Sequence, residues 1–292
     1  MSLKQLLDVP APAKLNLFLH VVGRRPDGYH LLQSVFTLID WCDTLHFERR
    51  SDGRISRTDL GPELPADDLS TRAARALQAA SGVTDGVHIT INKQVPWGAG
   101  LGGGSSDAAT TLLALNRLWG LNWPRARLLP IALALGADVP FFVGGRNAWV
   151  EGIGEQLTPI DLPANTYAVL KPNVSIPTAA IFSSPLLRRD TKPSTIAFFL
   201  ADKELFNKND LQPCAEAHNS EVGQALNILA RAFGAGRMSG SGSAVFASAG
   251  SDPDADWLQS SFQHLLATMP ESWQARLCRG LSEHPLLQWA AD

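Results

Sequence analysis

Between Ala13 and Val22 the side chains alternate. Leu15, Leu17, Leu19 and Val21 fall on one face, Lys14, Asn16, Phe18 and His20 on the other. A period of two over ten residues predicts a strand buried on one face. A polar turn with two cations follows (Gly23-Arg24-Arg25-Pro26-Asp27-Gly28-Tyr29-His30), and residues 31–49 read as further strand. Asp67-Asp68 can cap a helix that runs to about Ala80 and stops at Gly82. Val87, Ile89 and Ile91 alternate again. After a glycine-rich stretch at 98–104, Ala108, Leu112, Leu115 and Trp119 recur at spacings of 4, 3 and 4, which is one face of a helix ending at Gly120. Pro124 opens another helix and Gly136 closes it.

Pro159, Pro163, Pro172, Pro177 and Pro185 mark a boundary, dividing the chain into units 1–160 and 161–292. The second unit has helical stretches near 198–206, 218–233 and 254–268, with a loop and strand at 236–248. No repeat of 20–50 residues is visible. This order of elements predicts an α+β protein with helices on one face of a largely antiparallel sheet.

Composition narrows the function more than the fold. A net charge of −3 over 292 residues argues against a phosphate-backbone binder, so no nucleic-acid partner is expected. The three cysteines (Cys42, Cys214, Cys278) lack metal-like spacing and are expected as reduced thiols in a cytoplasmic protein. The longest apolar run, Leu128 to Ala137, is too short to span a bilayer. Ala11-Pro12-Ala13 imitates a signal-peptidase site, but no apolar core precedes it, so no secretory leader is expected. The seven histidines show no metal-binding spacing, and no protein metal site is expected.

The candidate chemistry lies at Pro96-Trp97-Gly98-Ala99-Gly100-Leu101-Gly102-Gly103-Gly104-Ser105-Ser106. Five of the seven residues 98–104 are glycine. The stretch joins a strand to a helix start, where free N–H groups and the helix dipole favour an anion. Glycine lets the backbone approach a phosphate, and two serines add hydroxyls, so the segment reads as a phosphate cradle. It is not a Walker A loop, because no lysine follows the glycines. Gly98, Gly100 and Gly103 satisfy G-x-G-x-x-G, but the acidic residue that a dinucleotide fold needs about 20 positions on is missing. Protein-kinase motifs are also missing.

Residues 96–106 resemble the signature loop of the GHMP small-molecule kinases. Further blocks resemble the branch of that family whose acceptor is a cytidyl sugar-alcohol of non-mevalonate isoprenoid synthesis. They are Pro12–Leu17 (PAKLNL), Arg25–His30 (RPDGYH), Gly136–Phe142 (GADVPFF), Glu151–Glu155 (EGIGE), Ser175–Thr178 (SIPT) and Ser239–Ser243 (SGSGS), in family order. The resemblance implies two lobes, the first ribosomal-S5-like and the second ferredoxin-like, with the active site in the cleft between them. It implies ATP as phosphoryl donor, with Mg2+ arriving on it, and transfer to the acceptor's 2-hydroxyl. Kinases of the homoserine or mevalonate type are the alternative; a cytidine-binding turn at 25–30 has no use in those.

Residue by residue, the resemblance makes Asp138 the catalytic base, although in isolation it reads as the N-cap of the stretch after it. Lys14, in isolation a solvated strand lysine, becomes the cation that stabilises charge on the transferred group. Asn16 would hold the sugar-alcohol, and Thr178 its phosphate end. Tyr29, His30 and Phe182 would hold the cytosine, with Phe36 as a further candidate. Lys93 and Asp68 match positions near the nucleotide. Asp68 departs from the family's usual asparagine and can only accept where an amide also donates. Asp107, in the first helical turn, would lie near the triphosphate, either bridged to it by magnesium or turned away.

Overall fold

The computed structural model describes residues 3–292. The first lobe runs β1 (Gln5–Arg24), β2 (His30–Arg50), β3 (Ile55–Leu60), α1 (Leu69–Ser81), β4 (Gly86–Asn92), α2 (Gly103–Leu118), α3 (Arg125–Leu135), α4 (Val139–Gly144), β5 (Ala148–Glu151) and β6 (Gln156–Pro159). The second holds β7 (Thr166–Lys171), α5 (Thr178–Ser183), α6 (Ile196–Ala201), α7 (Gln212–His218), α8 (Ser220–Phe233), β8 (Arg237–Met238), β9 (Val245–Gly250), α9 (Ala255–Thr268) and β10 (Gln274–Leu281).

β2 is the spine. β1 pairs with it antiparallel along one edge, from Gln5 opposite Glu48 to Arg24 opposite His30. Its other edge is shared in turn by β5 at Ser34–Phe36, β10 at Leu38–Ile39 and β4 at Thr44–Arg50. The sheet thereby continues through both lobes in the order β3-β4-β2-β10-β7-β9-β8. Among its paired strands only β3 and β4 run parallel, so the expected α+β, largely antiparallel architecture is what is found.

Local signals set several boundaries where expected. Asp68 caps α1, its carboxylate accepting from the Ser70 and Thr71 amides, and Gly82 ends the helix at φ +70°. Pro124 and Gly136 bracket α3. Two expectations fail for one reason. β1 is not half-buried, since Lys14 and Asn16 on its polar face are 3% and 2% exposed. Nor is α2 amphipathic: beside Leu112 and Leu115 it buries Asp107, Thr110, Thr111 and Asn116. Both elements have a second layer on the side that pattern alone assigns to water.

One core lies between the first-lobe strands and α1–α4, and another between β7, β9 and α7–α9. A third, with Leu15, Ile39, Ala99, Leu101, Val169 and Phe246, joins the lobes. The division at residue 160 is therefore incomplete. β10 pairs with β2 as well as β7, and Leu286 and Ala290 pack in the first-lobe core. Arg125 fixes this returning tail, donating to the Leu287 carbonyl at 2.6 Å and pairing with Asp292. Prolines mark loops in sequence; they carry no information about where a later strand docks.

Candidate active site

The glycine loop is built by alternation. Gly98, Gly100 and Gly102 sit at φ +64°, +76° and +71°, while Ala99 and Leu101 between them are buried in the core that joins the lobes. The apolar side chains pin the loop and the glycines supply the left-handed turns that other residues rarely adopt. Its carbonyls are turned into the protein. Ala99 accepts from the Ala244 amide at 3.0 Å, Gly100 from Ser239 Oγ at 3.1 Å, and Leu101 from the Lys14 amide at 2.9 Å. The amides of residues 98–105 have no acceptor among the described residues. This is a run of unpaired donors ending at the N-terminus of a sixteen-residue helix, which is what an oligophosphate requires. A Cβ at Gly100 would lie 2.2 Å from the Ser239 carbonyl oxygen, and one at Gly102 would meet Phe142 and the Lys14 stem.

Gly98, Gly100 and Gly102 line a cleft of about 310 Å3 together with Lys14, Asn16 and Asp138. Asp138 sits at the N-cap position of α4, yet its side chain makes no cap hydrogen bond. One carboxylate oxygen lies instead 3.6 Å from Lys14 Nζ. Lys14 is otherwise held by Asn16 Oδ1 at 2.5 Å and lies 4.4 Å over the Phe36 ring. Burial pulls the Lys14 pKa down, and Asp138 restores part of the shift. Asn16 is fixed on three sides, its amide group donating to Ser34 Oγ at 3.0 Å and its backbone N–H to Ser239 Oγ at 3.1 Å.

Thr178 and Ser241 share a hydrogen bond of 2.9 Å at the cleft wall. At its far end Phe182 lines the cavity, and the His30 ring lies 5.0 Å from it. Tyr29 is exposed on the turn and does not line the cavity. Phe36 does line it, from beneath Lys14.

A second hollow of about 590 Å3 opens on the other side of the loop, walled by Lys93, Pro96, the exposed Trp97 and residues 62–66. Lys93 is not free there. Its ammonium lies 2.5 Å from Asp43 and 2.6 Å from Asp107, under the first turn of α2. With two carboxylates around one ammonium, burial and the Asp43 charge raise the Asp107 pKa to about 8. Asp107 is thus turned away from the cleft. Asp68 is also committed, to the α1 cap and an ion pair with Arg57, and lies outside the walls of both hollows. Gly103, Gly104 and Ser105 form the first turn of α2, and Ser106 Oγ is buried there without a partner.

Sequence reasoning missed two residues of this site. Arg189 donates from Nε to His30 Nε2 at 3.1 Å and from Nη2 to both the Phe182 and Ser184 carbonyls. Asn209 ties the second loop, donating to the Met238 and Gly240 carbonyls, each at 2.8 Å. Neither has a local signal, because the bonds from Arg189 to His30 and from Asn209 to the second loop join residues distant in sequence.

Comparison with known proteins bears on this arrangement. The model for the GHMP kinase N-terminal domain matches residues 68–146, and that for the GHMP kinase C-terminal domain residues 198–266. The 4-diphosphocytidyl-2-C-methyl-D-erythritol kinase of Methylibium petroleiphilum is 64% identical over 292 residues, covering 99% of this chain and all of that one. The chain belongs to the GHMP kinases. Among solved structures, that of a 4-(cytidine 5'-diphospho)-2C-methyl-D-erythritol kinase superposes with a TM-score of 0.76 at 36% identity, covering 95% of this chain and 99% of that one. The homoserine kinase of Cytophaga hutchinsonii, at TM-score 0.69 and 17% identity over 96% of each chain, shares the fold. This GHMP kinase is therefore a two-lobed α+β small-molecule kinase that uses ATP. No helix among its described residues is long and apolar enough to cross a membrane.

Proposed function

We propose that this GHMP kinase transfers the γ-phosphoryl group of ATP to the 2-hydroxyl of 4-diphosphocytidyl-2-C-methyl-D-erythritol in non-mevalonate isoprenoid synthesis. The observation that carries the reading is the shared cleft. Unpaired loop amides, a buried ammonium and a carboxylate released from its cap position all face one cavity.

The loop amides of residues 98–105 and the first turn of α2 hold the triphosphate, with Ser105 and Ser106 adding hydroxyls. Pro96 and Trp97 continue that wall toward the nucleoside, and Lys93 supports it from below. The acceptor hydroxyl lies between Asp138 and Lys14, which at 3.6 Å apart leave a position within hydrogen-bond reach of both. Asp138 takes its proton as the oxygen attacks the γ-phosphorus. Lys14, fixed by Asn16, offsets negative charge on the transferred group without reorganising. Asn16 and Thr178 orient the erythritol part. His30 and Phe182 take the cytosine.

His30 accepts from Arg189, and burial with the Arg189 and Arg24 charges keeps its pKa below the usual histidine value. The neutral ring then carries its proton on Nδ1, a donor suited to the acceptor edge of cytosine. Among the described residues no cluster of three could hold a metal ion, and Asp43 and Asp107 are engaged by Lys93. Magnesium would arrive with the ATP and would offset the charge on its phosphates.

The test is a coupled ADP-release assay with the cytidyl alcohol, homoserine and mevalonate offered separately, with phosphorus NMR of the product. Turnover of the cytidyl alcohol, with a new monoester at its 2-oxygen, is expected. Turnover of homoserine or mevalonate alone would replace this reading by that of another GHMP kinase.

A further inference from the structure

Behind the cleft, on the other side of β1, lies a hollow of about 480 Å3. Its floor is apolar and aromatic, with Leu17, Tyr167, Phe199 and Phe206. Arg237 and Lys203 also line it, and among the described residues none of its lining side chains is acidic. Arg237 is the unusual member. Its Nε is buried without a hydrogen-bond partner, and its guanidinium lies 5.0 Å over the Phe246 ring. No carboxylate pairs with it among the described residues. Arg237 is part-buried, and a guanidinium whose Nε is shut off from water without a hydrogen bond, with no carboxylate beside it, carries a desolvation cost that an anion would offset.

The hollow shares three walls with the cleft. On β1, Leu17 faces the hollow while Asn16 and Leu19 face the cleft. In the segment before α7, Asn207 lines the hollow and Leu211 the cleft, with Asn209 between them clamping the Met238 and Gly240 carbonyls. At β8, Arg237 lies two residues before Ser239, whose hydroxyl joins Asn16 to the Gly100 carbonyl. A ligand drawing on Arg237 therefore pulls on the strand that carries the cleft's 240–242 wall.

We infer that this rear hollow binds a small amphiphilic anion, a phosphate or carboxylate head on Arg237 and Lys203 with an apolar body on the aromatic floor, and that its occupancy alters acceptor affinity through β8. The head supplies the missing counter-charge, and the floor separates such a ligand from inorganic phosphate. Anion binding in this hollow does not depend on the catalytic reading above, whereas the coupling to acceptor affinity rests on it.

The probe is n-hexyl phosphate, titrated calorimetrically into the full-length enzyme, with inorganic phosphate and n-hexanol as controls. Hexyl phosphate is expected to bind and both controls to bind more weakly. Arg237→Met should weaken hexyl phosphate roughly tenfold or more, the scale of a lost charge-assisted hydrogen bond, and Arg237→Lys should recover part of it. Arg237→Met should leave Tm unchanged or raised, because a part-buried charge without a counter-charge is removed; a merely structural Arg237 would give a lower Tm. In the coupling arm, saturating hexyl phosphate should shift the Kd of cytidine monophosphate about fivefold to a plateau. Cytidine monophosphate titrated alone tests the acceptor reading separately. Absence of hexyl phosphate binding, binding indifferent to Arg237→Met, or a nucleotide Kd that stays constant or climbs without a plateau overturns the inference.

Discussion

Asp138 and Lys14 stand 124 positions apart in the chain and 3.6 Å apart in space. Asp138 reaches Lys14 because it forgoes the helix-capping bond that its position offers. That choice separates a chemical role from a structural one. Asp138→Asn should fold normally and bind ATP with unchanged affinity while kcat falls about 10²–10⁴-fold, the span of a positioned base. Wild-type turnover in the folded variant would remove Asp138 from the reaction. Lys14→Met should lower kcat much more than ATP affinity, and a loss confined to ATP affinity would move Lys14 to the donor side.

The cradle predicts a contrast between two glycines. At Gly100 φ is positive and a Cβ would collide with the Ser239 carbonyl, whereas at Gly104, inside α2, a Cβ would meet only Leu69 at 3.8 Å. Gly100→Ala should therefore abolish measurable ATP binding or lower stability by about 1–3 kcal/mol. Gly104→Ala should hold or raise Tm. Equilibrium nucleotide titration and thermal melting of the two variants decide this.

Arg189 holds His30 and the Phe182 segment, and in the proposed reading it acts on the acceptor only through them. Arg189→Met is expected to raise KM for the cytidyl alcohol about tenfold, the worth of one hydrogen bond to a charged group, with kcat within about twofold. A fall in kcat at unchanged KM would contradict a positioning role. With the Nδ1 donor no longer fixed, discrimination against a uridyl analogue should also shrink.

The Lys93 cluster makes stability depend on pH in a direction opposite to that of a salt-bridged carboxylate. Asp107 is raised to about 8 from an ordinary value of 3.8, so the folded state keeps a proton that the unfolded chain releases. The stabilisation is complete below about pH 4 and is lost as pH rises toward 8, with a slope of at most about 1.4 kcal/mol per pH unit. Asp107→Asn keeps the neutral form at every pH and should flatten that slope. Urea unfolding between pH 5 and 9 measures it, and an equal slope in both proteins would show that Asp107 is ionised throughout.

Much of this was legible in one dimension. Alternation from Ala13 to Val22 located β1, the Asp68 and Gly82 signals bounded α1, and the density of glycine at 98–104 announced the cradle, since each rests on a rule spanning a few residues. The resemblance of scattered short blocks supplied candidates for the cleft, and the fold brings Lys14, Asn16, Phe36, Asp138, Thr178 and Phe182 to one cavity. What stayed illegible depends on partners remote in sequence. Lys93 matches a position near the nucleotide, and nothing in the sequence shows that Asp43 and Asp107 close on it. Asp68 shows its capping role in sequence but not its ion pair with Arg57. Arg189 carries no motif at all.

The sequence by itself determined where strands and helices begin and which loop can accept a phosphate, because backbone preference and side-chain period are local properties. Only the tertiary structure decided which charges are used and which remain available. Whether a carboxylate caps a helix, neutralises a lysine or faces a substrate depends on what lies within about 4 Å of it, where Coulomb energy and desolvation are decided. In this chain those neighbours come from opposite ends of the first lobe and from the lobe beyond it.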